Sequence, residues 1–160
     1  MNLLNIYRET IIDGPGLRYS IYLSGCRHAC KGCHNPESWN PLAGIPLTDF
    51  MIEQIIDEIN ANPLLDGITI SGGDPFYNPS ELTELLRNLK SQCKLKIWCY
   101  TGYTIEEIMQ DKNLSEPLQY IDTLIDGPYI SELYDPTLLW RGSNNQRIIR
   151  IKDGKPVGKY

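Results

Sequence analysis

A chain of 160 residues, 41% of them apolar and 22% charged, has the composition of a globular protein and enough apolar mass for a core. Its net charge of −5, from 15 Lys+Arg against 20 Asp+Glu, argues against nucleic-acid binding, which calls for a concentrated basic face. No apolar run approaches the roughly 20 residues that cross a bilayer, and Met1 to Glu9 lack the basic and apolar regions of a signal peptide, so the expectation is a single cytoplasmic domain over residues 1–160 with no membrane partner.

Taken in chain order, Arg18 to Leu23 alternate polar and apolar residues as a strand does, and a cysteine-rich loop follows at once. Thr48 is placed to cap a helix whose apolar stripe is Met51, Ile52, Ile55, Ile56 and Ile59, a pattern explained by core packing. Gly67 to Ser71 read as the next strand, ending in Gly72-Gly73-Asp74-Pro75. Asn78, Pro79 and Glu81 then mark a helix start, with Leu82, Leu85, Leu86 and Leu89 on its buried face. Leu95 to Tyr100 form a third strand. Thr104 and Glu107 fit a capping box, Tyr120 to Ile125 a fourth strand ending in Asp126-Gly127-Pro128-Tyr129, and Gln146 to Lys152 a fifth.

Strands alternating with helices predict βαβ crossovers and an α/β fold with a largely parallel sheet. A closed eight-fold barrel takes at least about 200 residues, so the expectation is an open partial (β/α) barrel, a half-barrel. Each unusual loop follows the C-terminal end of a predicted strand, the edge where parallel α/β folds bind ligands.

Three of the five cysteines fall within Cys26-Arg27-His28-Ala29-Cys30-Lys31-Gly32-Cys33, a C-x3-C-x2-C spacing. A secreted disulfide framework would spread an even number of cysteines along the chain, so the tight cluster reads as metal ligation. Thiolates suit zinc and iron–sulfur clusters. Structural zinc wants four protein ligands, and His28 or His34 could complete such a set. A four-iron cluster held by three cysteines keeps one iron open to a ligand, as catalytic metal sites keep an open position.

The spacing at the end of a first strand resembles the signature of the radical S-adenosylmethionine (SAM) superfamily. That resemblance implies a [4Fe–4S] cluster on Cys26, Cys30 and Cys33, with SAM chelated at the open iron and cleaved reductively to methionine and a 5′-deoxyadenosyl radical. The superfamily usually carries an aromatic residue just before the third cysteine, packed on the adenine, and here that position is Gly32. Either the backbone of Gly32, Cys33 and His34 meets the adenine or another side chain covers it; a glycine there also suits a positive φ. Gly72-Gly73-Asp74-Pro75 resembles the superfamily's Gly-Gly-acidic-Pro motif, which takes the methionine amino group, although alone it is a common turn. Glycines let backbone approach closely, and an ammonium wants carboxylate or carbonyl acceptors.

Asp13-Gly14-Pro15-Gly16-x-Arg18 and Cys33-His34-Asn35-Pro36-Glu37 are similar to the glycyl-radical-enzyme activases. Ile125 to Tyr129 and Leu139 to Arg147 resemble the subgroup acting on anaerobic ribonucleoside-triphosphate reductase, where a glycine at position 32 is usual. The resemblance implies that the large reductase subunit is the protein substrate, receiving a glycyl radical, and that a flavodoxin or ferredoxin-type reductant supplies the electron. Trp140 to Arg147 read as a turn plus edge strand or, functionally, as a surface for the reductase partner. Cys93 and Cys99 read as core, as do Tyr100 and Tyr103. Two alternatives stay open at this point: a radical SAM enzyme acting on a small molecule, and a zinc or electron-transfer module.

Overall fold

The start signals act where the sequence places them. In the computed structural model, which describes all residues from Met1 to Tyr160, Thr48 Oγ1 accepts the Met51 N–H and opens helix α1 (Asp49–Ala61). Asn78 Oδ1 accepts the Glu81 N–H at the head of α2 (Pro79–Gln92). Thr104 and Glu107 complete a reciprocal capping box on α3 (Ile105–Gln110), a cap whose loss typically costs about 1 kcal/mol. A short α4 (Lys112–Ser115) follows, capped by Asp111.

Eight strands make one sheet: β1 (Asn2–Thr10), β2 (Arg18–Leu23), β3 (Ile45–Pro46), β4 (Gly67–Gly72), β5 (Lys96–Tyr100), β6 (Thr123–Asp126), β7 (Arg147–Lys152) and β8 (Lys155–Lys159), in the spatial order β3-β1-β2-β4-β5-β6-β7-β8. The predicted fourth strand is shorter and later than expected, because Glu116–Tyr120 form a 3-10 turn before it.

The expected half-barrel of largely parallel strands is corrected. The sheet is mixed, with three parallel pairings (β2·β4, β4·β5, β5·β6) and four antiparallel ones (β1·β2, β1·β3, β6·β7, β7·β8). The physical reason lies in the connections. A parallel pair needs a crossover of a dozen or more residues, usually a helix. The loop from Thr10 to Arg18 is too short for one, and residues 127–146 carry no α-helix before the chain returns as β7. Between β7 and β8, Asp153 (φ 51°) and Gly154 (φ 71°) form a two-residue turn with both φ positive, which closes an antiparallel hairpin.

The strands bury different chemistry on their two faces. Tyr19, Ile21 and Leu23 of β2, Ile68 and Ile70 of β4, and Ile97 and Cys99 of β5 join Ile55, Ile56, Ile59, Leu82, Leu85, Leu86 and Leu89 in the main core beneath the helices. The alternate residues line the opposite face: Arg18, Ser20 and Tyr22, then Thr69 and Ser71, then Trp98 and Tyr100. Arg18 is almost wholly buried there. Its Nε donates to Thr69 Oγ1 at 2.6 Å and its Nη2 to the Ile68 carbonyl at 2.6 Å, under the Trp98 ring. Loss of water pulls its pKa down to about 10. Gly14 (φ +145°) leaves room for this guanidinium, since a Cβ there would lie 2.6 Å from Arg18 Cδ. The Asp-Gly-Pro-Gly-x-Arg motif thus anchors the polar face. No helix is long and apolar enough to cross a membrane.

Candidate metal and cofactor site

A cavity of about 270 Å³ opens on the polar face at the C-terminal ends of the parallel strands, near the lower end of the range for small-molecule sites. The loop after β2 brings Cys26, Cys30 and Cys33 to it, each partly exposed and none in a disulfide. Ala29 (φ 46°) and Gly32 (φ 74°) are both left-handed, and these two reversals wind the cysteines around one side of the cavity. A Cβ on Gly32 would meet nothing nearer than Ser131 Cβ at 3.4 Å. The glycine therefore answers the backbone conformation, and space is left at its side-chain position.

The thiols differ in surroundings. Burial pushes the Cys26 thiol up, opposed by backbone hydrogen bonds from His28 and Ala29 that favour the thiolate. Cys33 Sγ accepts the Asn35 N–H at 3.4 Å, and the Cys33 N–H donates to the Cys30 carbonyl at 3.0 Å. No three His, Cys, Asp or Glu side chains converge on a single point that would hold one metal ion. His28 is turned toward Asp74, and the exposed His34 packs its ring on Tyr129 (5.2 Å between centroids) and Tyr134. Both imidazoles thus have partners other than the cysteines. Three soft thiolate donors suit iron–sulfur chemistry.

Across from the cysteines stand Gly72, Gly73 and Asp74, at the end of β4. Their backbone is pressed against the root of the cysteine loop: the Asp74 N–H donates to the Gly25 carbonyl at 2.8 Å and the Gly25 N–H to the Ser38 carbonyl at 2.7 Å. A Cβ on Gly73 would lie 2.6 Å from the Gly25 oxygen and 2.8 Å from that of Ser38, so only glycine fits without moving backbone. Asp74 is buried and heavily engaged. Its Oδ1 accepts the Phe76 N–H at 2.9 Å; its Oδ2 accepts from His28 Nε2 at 2.6 Å and from Thr101 Oγ1 and the Gly102 N–H at 3.2 Å each. One carboxylate ties the cysteine loop to the ends of β4 and β5.

The remaining wall comes from Tyr22, Tyr100, Gly127, Tyr129, Gly142 and Gln146. All the predicted site residues (Cys26, Cys30, Gly32, Cys33, His34, Gly72, Gly73 and Asp74) thus fall in or beside one cavity, Gly32 at its edge. Cys93 and Cys99 are buried in the main core away from it, their thiols pushed up by burial. Tyr100 lines the cavity as well as the core edge, its hydroxyl donating to the Trp140 carbonyl at 2.8 Å. The sequence offers His28 only as a possible zinc ligand and does not assign Thr101, Tyr129 and Gln146 to the site. Each still carries a signal, Thr101 and Tyr129 in loops just after predicted strands and Gln146 in the stretch Leu139 to Arg147.

The profile of the 4Fe-4S single cluster domain family matches residues 12–149. An anaerobic ribonucleoside-triphosphate reductase-activating protein of Haemophilus influenzae is 44% identical over 156 residues, covering 95% of this chain and 99% of its own length. Its namesake in Escherichia coli is 36% identical over 156 residues, 95% of this chain and 100% of the relative. That of enterobacteria phage T4 is 38% identical over 158 residues, 96% and 97% of the two chains.

Proposed function

The chain belongs to the family of anaerobic ribonucleoside-triphosphate reductase-activating proteins, and from that premise we propose that it cleaves SAM reductively at a [4Fe–4S] cluster to place a glycyl radical on the large reductase subunit. The observation that supports this most is the meeting of Cys26, Cys30 and Cys33 with Gly72, Gly73 and Asp74 around one cavity at the strand ends. A [4Fe–4S] cluster held by these cysteines would supply the single electron for reductive cleavage of SAM, and SAM would supply the 5′-deoxyadenosyl group that abstracts hydrogen from a glycine of the partner. The electron comes from a flavodoxin or ferredoxin-type reductant.

The chain's own residues bind and orient. Cys26, Cys30 and Cys33 would hold the cluster, and three ligands on four irons would leave one metal position open to a cofactor. Gly72 and Gly73 would allow backbone to approach the aminoacyl end of SAM, and Asp74, whose Oδ2 now accepts from His28, would offer a carboxylate acceptor to its ammonium. Because the substrate glycine belongs to another protein, the cavity needs only to admit a loop over the bound cofactor.

The test combines iron retention with radical transfer. Cys26→Ala, Cys30→Ala and Cys33→Ala should lose iron, whereas Cys93→Ala and Cys99→Ala should keep it. With anaerobic reductase, SAM and a strong reductant, the cluster-loaded chain should produce a glycyl-radical doublet in the EPR spectrum of the reductase. An intact cluster that releases 5′-deoxyadenosine without that doublet would move the substrate elsewhere; a colourless protein carrying zinc would sink the reading.

A further inference from the structure

Residues 143–147 hold the loop that follows β6 at four successive points. Arg147 Nε and Nη2 donate to the two oxygens of Asp126 at 3.0 and 2.5 Å. Gln146 Nε2 donates to the Gly127 carbonyl at 3.1 Å, while its Oε1 accepts the N–H groups of Gly142 and Ser143 at 2.9 and 3.2 Å. Asn145 Nδ2 donates to the Pro128 carbonyl at 2.7 Å, and the Ile130 N–H donates to Ser143 Oγ at 3.2 Å. Asp126, Gly127, Pro128 and Ile130 are each tied down. Tyr129, between them, is the residue whose ring reaches the cavity.

That ring has a defined seat. It lies over Gly142, where a Cβ would come within 3.1 Å of it, and 3.7 Å from the position a Cβ would take on Gly32. His34 packs against it. The cavity lining is therefore divided: Asp74 and the glycines are polar, while Tyr129 with His34 forms an aromatic pair next to Gly32, with Tyr22 and Tyr100 also in the wall. A ligand with an ammonium at one end and a flat heterocycle at the other matches that division. Purines stack on aromatic side chains through face and edge contacts that add to plain burial.

We propose that Tyr129 is the residue on which the adenine of SAM stacks, and that Gln146 and Asn145 are positioning residues holding its ring there. This rests on the SAM reading above and assigns the adenine end of the cofactor. The stretch Trp140 to Arg147 then acts inside the protein, as a clasp on the Tyr129 loop.

The test titrates the anaerobic, cluster-loaded chain calorimetrically with SAM, with 5′-deoxyadenosine and with methionine. Tyr129→Leu should weaken SAM and 5′-deoxyadenosine about tenfold, the size of one base–aromatic stack, and leave methionine binding unchanged. Tyr129→Phe should bind all three as the unaltered chain does. Gln146→Ala should weaken SAM in the same sense as Tyr129→Leu, again sparing methionine. Iron content and circular dichroism establish that each variant is folded and loaded. Tyr129→Leu binding SAM normally, or losing SAM and methionine in equal measure, would overturn the assignment. An unaltered chain that binds no SAM would instead overturn the reading beneath it.

Discussion

Replacing Arg147 by Met would remove both bonds to Asp126 while keeping most of the side chain's apolar length. Asp126 has no solvent exposure, and the Ile105 N–H at 2.7 Å would be its remaining donor. Breaking a buried ion pair from one side costs about 3–5 kcal/mol, because a charge is left buried without its partner. The Arg147 side chain is 31% exposed, so water can replace part of what it gives and the loss belongs at the low end, about 3 kcal/mol. Its second partner, Glu106, is 60% exposed and adds no more than about 0.5–1 kcal/mol. In a domain of this size 1 kcal/mol shifts Tm by about 2–4 °C, so a total loss of about 3–4 kcal/mol makes the expected drop about 6–16 °C. Far-UV circular dichroism under anaerobic, reducing conditions reads it. Adding Asp126→Asn to the Arg147→Met background removes the stranded charge and should raise Tm again by at least about 2 °C. A single variant melting within about 1 °C of the unaltered chain, or a double variant melting lower than the single, would refute the reasoning.

Hydrogen bonds from Arg147 hold the Glu106 carboxyl down to about 2, below the ordinary 4.5. A depressed folded pKa gives stability that is complete above the ordinary value and lost as pH falls from about 4.5 toward 2. Glu106→Gln should flatten the acid limb of the pH–stability curve by no more than about 0.5–1 kcal/mol, given the exposure of the pair; an unchanged limb would count against the pairing. Gly73→Ala should lower iron retention without touching a cysteine, since the new methyl would press on the Gly25 and Ser38 carbonyls that shape the cysteine loop. Iron per chain at the unaltered level would show that the loop tolerates the shift.

The elements that could be read in advance are those whose signals are local. Thr48, Asn78 and Thr104 cap helices by bonds to residues three positions on, and a spacing of three is visible in a linear string. The helix stripes and the apolar strands β4 and β5 are of the same kind. Strand β1 escaped because it lies at the exposed side of the sheet, with Leu3 its one buried residue and two register shifts against β2. The β7–β8 hairpin did carry a signal in Asp153-Gly154, a pair suited to a turn with both φ positive.

Strand direction is a different matter, because it depends on what joins two strands. The stretch 127–146 shows no helical periodicity, and a structureless loop of that length inside a small domain argues against a parallel crossover. Its polar residues serve the next turn of the chain: Asn145, Gln146 and Arg147 each bond to residues 17 to 21 positions earlier. No local pattern encodes such bonds. The antiparallel return that the strand alternation failed to predict is thus the same feature that brings β7 beside β6 and sets the clasp on the Tyr129 loop. The cysteine spacing points to metal ligation and leaves zinc and iron–sulfur open, whereas Asp74, His28 and Tyr129 meet the motif only because the sheet aligns the ends of β2, β4, β5 and β6 at one edge. Spacing suggests a metal; sheet topology determines what stands next to it.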